Sequence, residues 1–314
     1  MYHLPLPTRV RLDQLPLHQE VVPGYLAFVR EHRGRRTTRQ LEDCLARFFA
    51  WLGERRINDL EELNAAHIRG FLDCFGHYAR ATIATNASAL RGFLRYLHVQ
   101  GMLRVELVHA VEVPGPYRRS RPPQVLSDGD VERLLTAVDR STALGKRDYA
   151  MLVLAARCGL RPSDIRQLRF EHVNWREQRI VFVQSKTQRA LELPLLAEVD
   201  EALVDYIRAG RPRCPAREIF LRHVAPIQPF SPCNNLCGVM DRALRAAGLE
   251  VPGHRSGLYL LRHSLATRML GCGVRLATIS DVLGHVSADT TVSYTQVDMV
   301  QLRSVSLAED EVRR

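Results

Sequence analysis

The run Pro114-Gly115-Pro116-Tyr117-Arg118-Arg119-Ser120-Arg121-Pro122-Pro123 constrains the fold of this chain more than any other stretch. Proline fixes φ and withdraws a backbone donor, so neither a helix nor a central strand passes through such a segment. The chain is therefore divided into an N-terminal and a larger C-terminal part. At 314 residues, both parts are long enough to bury cores of their own. The boundaries read as an arm over 1–17, a helical bundle over 18–113, a basic linker over 114–125 and a second domain over 126–314.

The arm contains Pro5, Pro7 and Pro16 and shows no sustained period. Beyond it, Leu41, Cys44, Leu45, Phe48, Phe49 and Leu52 recur at three- and four-residue steps, as do Ile83, Ala87, Leu90, Phe93, Leu94 and Leu97. This is the period of amphipathic helices. The first of these is expected to start at Thr37 or Thr38, with shorter helical pieces around 25–29 and 68–75. In the second part, Ser127 suits a helix N-cap ahead of Val131, Leu134 and Leu135. Phe230-Ser231-Pro232 reads as another helix start. The exceptions to helix are 179–184 and 190–194, two alternating apolar runs joined by Ser185-Lys186-Thr187-Gln188, which predict a hairpin with Lys186 at its turn.

Arginine and lysine number 44 against 34 acidic residues, a net charge of +10, which favours a polyanionic partner. The positive charge clusters at Arg33, Arg35, Arg36 and Arg39 and, in the linker, at Arg118, Arg119 and Arg121; both groups are candidate phosphate contacts or simply solvated surface. The longest apolar run, 149–156, is far short of the ~20 residues of a membrane span. The N-terminus lacks the pattern of a secretory signal, so a cytoplasmic, nucleoid-associated location without membrane contact is expected. Seven scattered cysteines suggest reduced thiols. Cys233 and Cys237 have no regular companions for a metal site and read better as buried thiols on a helix.

Five residues in order carry chemistry. Arg161 stands in Gly159-Leu160-Arg161-Pro162-Ser163-Asp164, Lys186 in Ser185-Lys186-Thr187, Arg262 in Leu261-Arg262-His263-Ser264, His285 in Leu283-Gly284-His285, and Tyr294 in Thr290-Thr291-Val292-Ser293-Tyr294-Thr295. The set resembles the catalytic half of the tyrosine recombinases, the phage-integrase family, over roughly the last three-fifths of the chain. The resemblance implies a mainly α fold: an N-terminal helical bundle, core-binding and SAM-like, then a mixed, mostly helical catalytic domain with a small antiparallel β-sheet. It implies a site-specific DNA recombinase or integrase that cuts each strand through a covalent 3′-phosphotyrosine and needs neither metal nor ATP, so no cofactor is expected. The implied partner is double-stranded DNA with a specific recombination site, bound by a homo-tetramer; partner recombinases remain an open option.

The residue types fit that chemistry. A phosphodiester repels nucleophiles, and its charge grows as five-coordinate phosphorus forms, so the forked donors of Arg161 and Arg262 suit its non-bridging oxygens. Pro162 suits the first position of a helix, which would add backbone donors beside Arg161. Asp164 matches the family's acidic position and is expected to orient Arg161. Tyr294 would store the bond energy as an ester, Lys186 resembles the general acid for the leaving oxygen, and His285 would assist at a non-bridging oxygen or at the nucleophile's proton. An unbroken helix would hold His285 and Tyr294 ~13 Å apart, so a bend around Val286-Ser287-Ala288, or a moving tyrosine segment, is required.

Tyr259 stands where the family often has histidine or lysine three residues before the second arginine. It is either a supporting donor or a rival nucleophile. His263 reads as a buried, hydrogen-bonded helix residue beside Arg262 rather than a direct catalyst. Past Tyr294, Met299, Leu302, Val305 and Leu307 form an apolar stripe, to cover its own domain or to dock on a neighbouring protomer. Two other functions use the same scaffold: a tyrosine-type topoisomerase and a non-catalytic DNA-binding companion.

Overall fold

The computed structural model describes residues 16–33, 38–112, 124–251 and 257–284. The chain divides into two compact units, 1–120 and 121–314. Among the described residues the fold is mainly helical with one small antiparallel sheet, and no helix is long and apolar enough to cross a membrane.

The first unit holds α1 (Pro16–Arg33), α2 (Arg39–Glu54), α3 (Ala65–Asp73) and α4 (Arg80–Val99). The residues that set the helical period of α2 and α4 are those that go inside: Leu45, Phe48, Leu90 and Phe93 are fully buried. Edge-to-face pairs fix the aromatic centre, with Phe48 and Phe71 5.0 Å apart and Phe71 and Phe75 5.2 Å apart between ring centroids. Asn64 caps α3 by accepting from the Ala66 and His67 amides. The helix of α1 is longer than the sequence suggested. It starts at Pro16 and continues through Pro23, because its buried face of Val21, Val22, Tyr25 and Val29 outweighs the donor that Pro23 lacks.

The second unit is built on α6 (Ala143–Arg157), whose run from Ala150 to Ala156 is almost wholly buried. That explains the longest apolar stretch as a core helix. Around it lie α5 (Asp128–Thr136), capped by Ser127 as expected, α7 (Pro162–Arg166), α8 (Ala197–Ala209), α9 (Cys237–Ala247), α10 (Tyr259–Gly271) and α11 (Leu276–Leu283). The hairpin pairs β2 (Arg179–Val183) with β3 (Ala190–Pro194), from Arg179 opposite Pro194 to Val183 opposite Ala190. Alternation puts Ile180, Phe182, Leu191 and Leu193 inside. A two-residue strand, β1 (Val173–Asn174), adds a third member that is too short to leave a periodic signal.

Two expectations are corrected. No helix starts at Phe230-Ser231-Pro232; α9 begins at Cys237 after Leu236, which takes a left-handed conformation with φ 57°. The Asn234 side chain accepts from the Leu236 amide and Asn235 from that of Cys237, local bonds that compete with helix. Consequently Cys233 is exposed and outside the helix, and Cys237 is half-buried at its first residue; they are not buried thiols on one helix.

A buried charge cluster joins α6 to α9. Asp148 on α6 accepts from Nε and a terminal nitrogen of Arg147 at 3.0 and 2.7 Å, and from Nε of Arg242 on α9 at 2.8 Å. Arg147 also donates to the Leu221 carbonyl at 3.1 Å. Removing one partner strands a buried charge, so Asp148→Ala should destabilise the protein by about 3–5 kcal/mol. Urea unfolding measures it; a loss below ~1 kcal/mol would show the cluster to be energetically neutral.

Candidate active site

The turn after α6 places the first arginine. Gly159 takes φ +62°, and the Cys158 amide folds back to the Leu154 carbonyl at 3.2 Å. A side chain at Gly159 would not fit, since its Cβ would fall 2.6 Å from a Leu283 methyl. Arg161 follows as the N-cap of α7, with Pro162 at the first helical position. Its side chain is buried, and one terminal nitrogen donates to the Gly284 carbonyl at 2.7 Å. The other, Nη1, has no hydrogen-bond partner among the described residues. The expected helix N-terminus is small: α7 has 5 residues, too few for a sizeable macrodipole, so the local positive potential comes from the guanidinium.

Arg262 lies in the first turn of α10 and is also buried. It donates to the carbonyls of Gly159 and, at 2.8 Å, Leu283. Both arginines therefore converge on the last carbonyls of α11, where cations are favoured by the helix dipole. They arrive from positions 123 and 21 residues away along the chain. Carbonyl anchors hold the two forks in place before any ligand arrives.

Asp164 has a different principal partner from the one expected. It stands 3.8 Å from Arg161 as an ion pair, beyond hydrogen-bond reach, and one carboxylate oxygen has no hydrogen-bond partner among the described residues. The other accepts from the Ser185 amide at 3.0 Å and the Ser185 hydroxyl at 2.8 Å. Asp164 thus tethers the hairpin turn to α7. Lys186 sits in that turn and is exposed, as read from the sequence. Tyr259, the first residue of α10, is half-buried, and its ring stacks at 6.3 Å between centroids with that of His263, which is itself half-buried and not buried as expected.

Two residues escaped sequence reasoning. Gln184, fully buried, donates to the Leu283 carbonyl at 3.3 Å and accepts from the Thr187 hydroxyl at 2.6 Å. Arg166, on α7, is buried and donates to the Asn234 carbonyl. Burial lowers its guanidinium below the ordinary arginine value, while Cys233, Asp164 and Tyr259 act in the opposite sense. The only sequence signal for Gln184 is the strand alternation, which carries Ile180 and Phe182 inward and reaches an amide next. Nothing in the sequence distinguishes Arg166 from its exposed neighbours.

His285, Tyr294, the bend around 286–288 and the apolar stripe over 299–307 lie outside the described residues, as do Arg35, Arg36, Arg118, Arg119 and Arg121. The backbone of Arg33 ends α1 without a described side chain; Arg39 is exposed at the start of α2. Among the described residues, no group of three or more His, Cys, Asp or Glu side chains is arranged to hold a metal ion.

Comparison with known proteins adds independent findings. A model described as the phage integrase family matches residues 124–301, and one described as its N-terminal SAM-like domain matches 22–101. Tyrosine recombinase XerD of Pseudomonas putida is 31% identical over 271 residues, covering 83% of this chain and 86% of that protein. Sinorhizobium fredii y4rA, whose name gives it as an integrase/recombinase, is 38% identical over 251 residues, 79% of this chain. The chain spans about three-fifths of the length of y4rA and of its relative y4rF, at 60% and 62%. Among solved structures, a XerH site-specific recombinase bound to palindromic difH DNA superposes with a TM-score of 0.66 at 19% identity, covering 95% of this chain and 90% of that one. A lambda integrase tetramer bound to a Holliday junction gives 0.64 at 17% identity, covering 88% of this chain and 76% of that one.

Proposed function

This chain belongs to the phage integrase family, and from that premise we propose that it is a site-specific DNA recombinase that cuts and rejoins strands through a phosphotyrosine. The observation that carries the reading is the convergence of Arg161 and Arg262, with the turn bearing Lys186, on the chain segment that immediately precedes His285.

In this reading the phosphodiester takes its non-bridging oxygens to the two buried forks. Their carbonyl anchors already fix them, so little reorganisation accompanies reaction. The Tyr294 oxygen attacks phosphorus, the bond to the 5′ oxygen breaks, and the DNA 3′ phosphate becomes an ester of tyrosine. The phenol proton is lost with help from His285, and Lys186 gives a proton to the leaving 5′ oxygen. One phosphate ester replaces another, so the reverse attack by a DNA hydroxyl reseals without ATP. Asp164 holds the turn that carries Lys186, and Tyr259 supports the site at the start of the helix that carries Arg262.

The partner is duplex DNA. The XerH and lambda integrase structures hold DNA, and the latter is a tetramer on a Holliday junction; we extend a homo-tetramer on DNA to this chain. The arginines of the α1–α2 region and the linker are proposed to grip its phosphates. A supercoiled plasmid carrying two copies of the DNA that flanks the gene tests the reading. Deletion or inversion between the copies is expected, whereas relaxation that is indifferent to the number of copies would identify a topoisomerase.

A further inference from the structure

We propose that Gln184 is a positioning residue that couples the Lys186 turn to the end of α11 and so aims Lys186 at the leaving oxygen. The inference rests on the reading of Lys186 as the general acid.

Strand alternation sends Gln184 to the inner face, where Ile180 and Phe182 are buried before it. An amide placed there without partners would cost about 1–3 kcal/mol where a leucine would stabilise, so its bonds must account for its presence. Those bonds join two different elements. The Leu283 carbonyl can only accept, which orients the Gln184 Nε2 toward α11. The Oε1 is thereby turned back to the Thr187 hydroxyl in its own turn. The backbone carbonyl of Gln184 also accepts from the Gln188 amide at 3.0 Å, closing the turn around Lys186.

The fit against α11 is tight. A Cβ added at Gly284 would stand 2.3–2.6 Å from the Gln184 amide, and Gly284 has φ +62°, so the amide lies directly against the backbone one residue before His285. Between Gln184 and Lys186, Ser185 is held by Asp164 of α7. The residues flanking Lys186 are thus fixed to the two elements whose carbonyl or side chain also engages Arg161 and Arg262. Lys186 itself is left exposed. A general acid needs this kind of support, because displacement of about 1 Å costs about 10²-fold in rate.

The test uses the full chain and nicked duplexes tiled across the DNA flanking its gene. On the duplex that the wild type cleaves, the 5′ bridging oxygen at the scissile phosphate is replaced by sulfur, which departs as thiolate without a proton. Gln184→Met keeps the shape and removes both bonds; Thr187→Val removes the hydroxyl from a half-buried position and serves should Gln184→Met not fold. Both variants are expected to cleave the oxygen substrate more slowly, by about 10²-fold for Gln184→Met, and to cleave the sulfur substrate at close to the wild-type rate. Equal slowing on both substrates, or no slowing on either, overturns the coupling. Lys186→Ala separates the two levels of the argument: if sulfur fails to rescue it, the general-acid reading itself falls.

Discussion

Arg262→Ala is expected to form the covalent DNA adduct about 10²- to 10³-fold more slowly than the wild type, and Arg161→Ala to lose a comparable factor. Each side chain is a buried donor fork that the proposed mechanism directs at the place where negative charge develops, and a lone methyl offers nothing in its stead. The loss should fall on the rate at saturating DNA more than on binding, since the charge being stabilised is greatest at five-coordinate phosphorus. Arg262→Lys should recover only part, because an ammonium keeps the charge but cannot bridge the Gly159 and Leu283 carbonyls while also presenting a fork. In Arg262→Ala the Gly159 carbonyl loses this donor and the Leu283 carbonyl keeps that of Gln184, so thermal melts must accompany the kinetics. Single-turnover cleavage gives the answer: a reduction below about 10-fold in a folded Arg262→Ala protein would remove this residue from the catalytic set.

How much of this was legible depends on the range over which each feature is encoded. The core faces of α2 and α4, the Ser127 cap, the Pro162 start and the β2–β3 hairpin are local patterns, and each was readable from a few neighbouring residues. The site is not local. Arg161 meets Gly284 and Gln184 meets Leu283 across 123 and 99 positions, and no period announces either pairing. Asp164 shows the difference well. Its place three residues after Arg161 suggests an orienting ion pair, yet its close bonds run to Ser185, whose amide and hydroxyl both reach one carboxylate oxygen from 21 positions away. The late start of α9 has the same kind of cause, with Asn234 and Asn235 bonding their own backbone where proline alone suggested a helix. His285 and Tyr294 rest on their order and context in the chain.

Two tyrosines, Tyr294 and Tyr259, compete for the role of nucleophile. A free phenol has a pKa of about 10, so only ~0.1% is ionised at neutral pH, and either tyrosine needs cations nearby to react. Near Tyr259 lies a buried arginine, Arg166. But Tyr259 is half-buried, stacked with His263, and fixed to the start of the helix that also carries Arg262. Those constraints suit a supporting donor to phosphate, and Tyr259→Phe should weaken cleavage without abolishing it. Tyr294→Phe should abolish it, because no other hydroxyl in the proposed mechanism can replace the nucleophile.

The most direct test is covalent trapping on nicked duplexes from the DNA flanking the gene, with the wild type, Tyr294→Phe and Tyr259→Phe resolved on denaturing gels. A protein–DNA band is expected in the wild type and in Tyr259→Phe and is expected to be absent from Tyr294→Phe. A band lost only in Tyr259→Phe, or absent from all three proteins on DNA they bind specifically, would contradict the proposed mechanism.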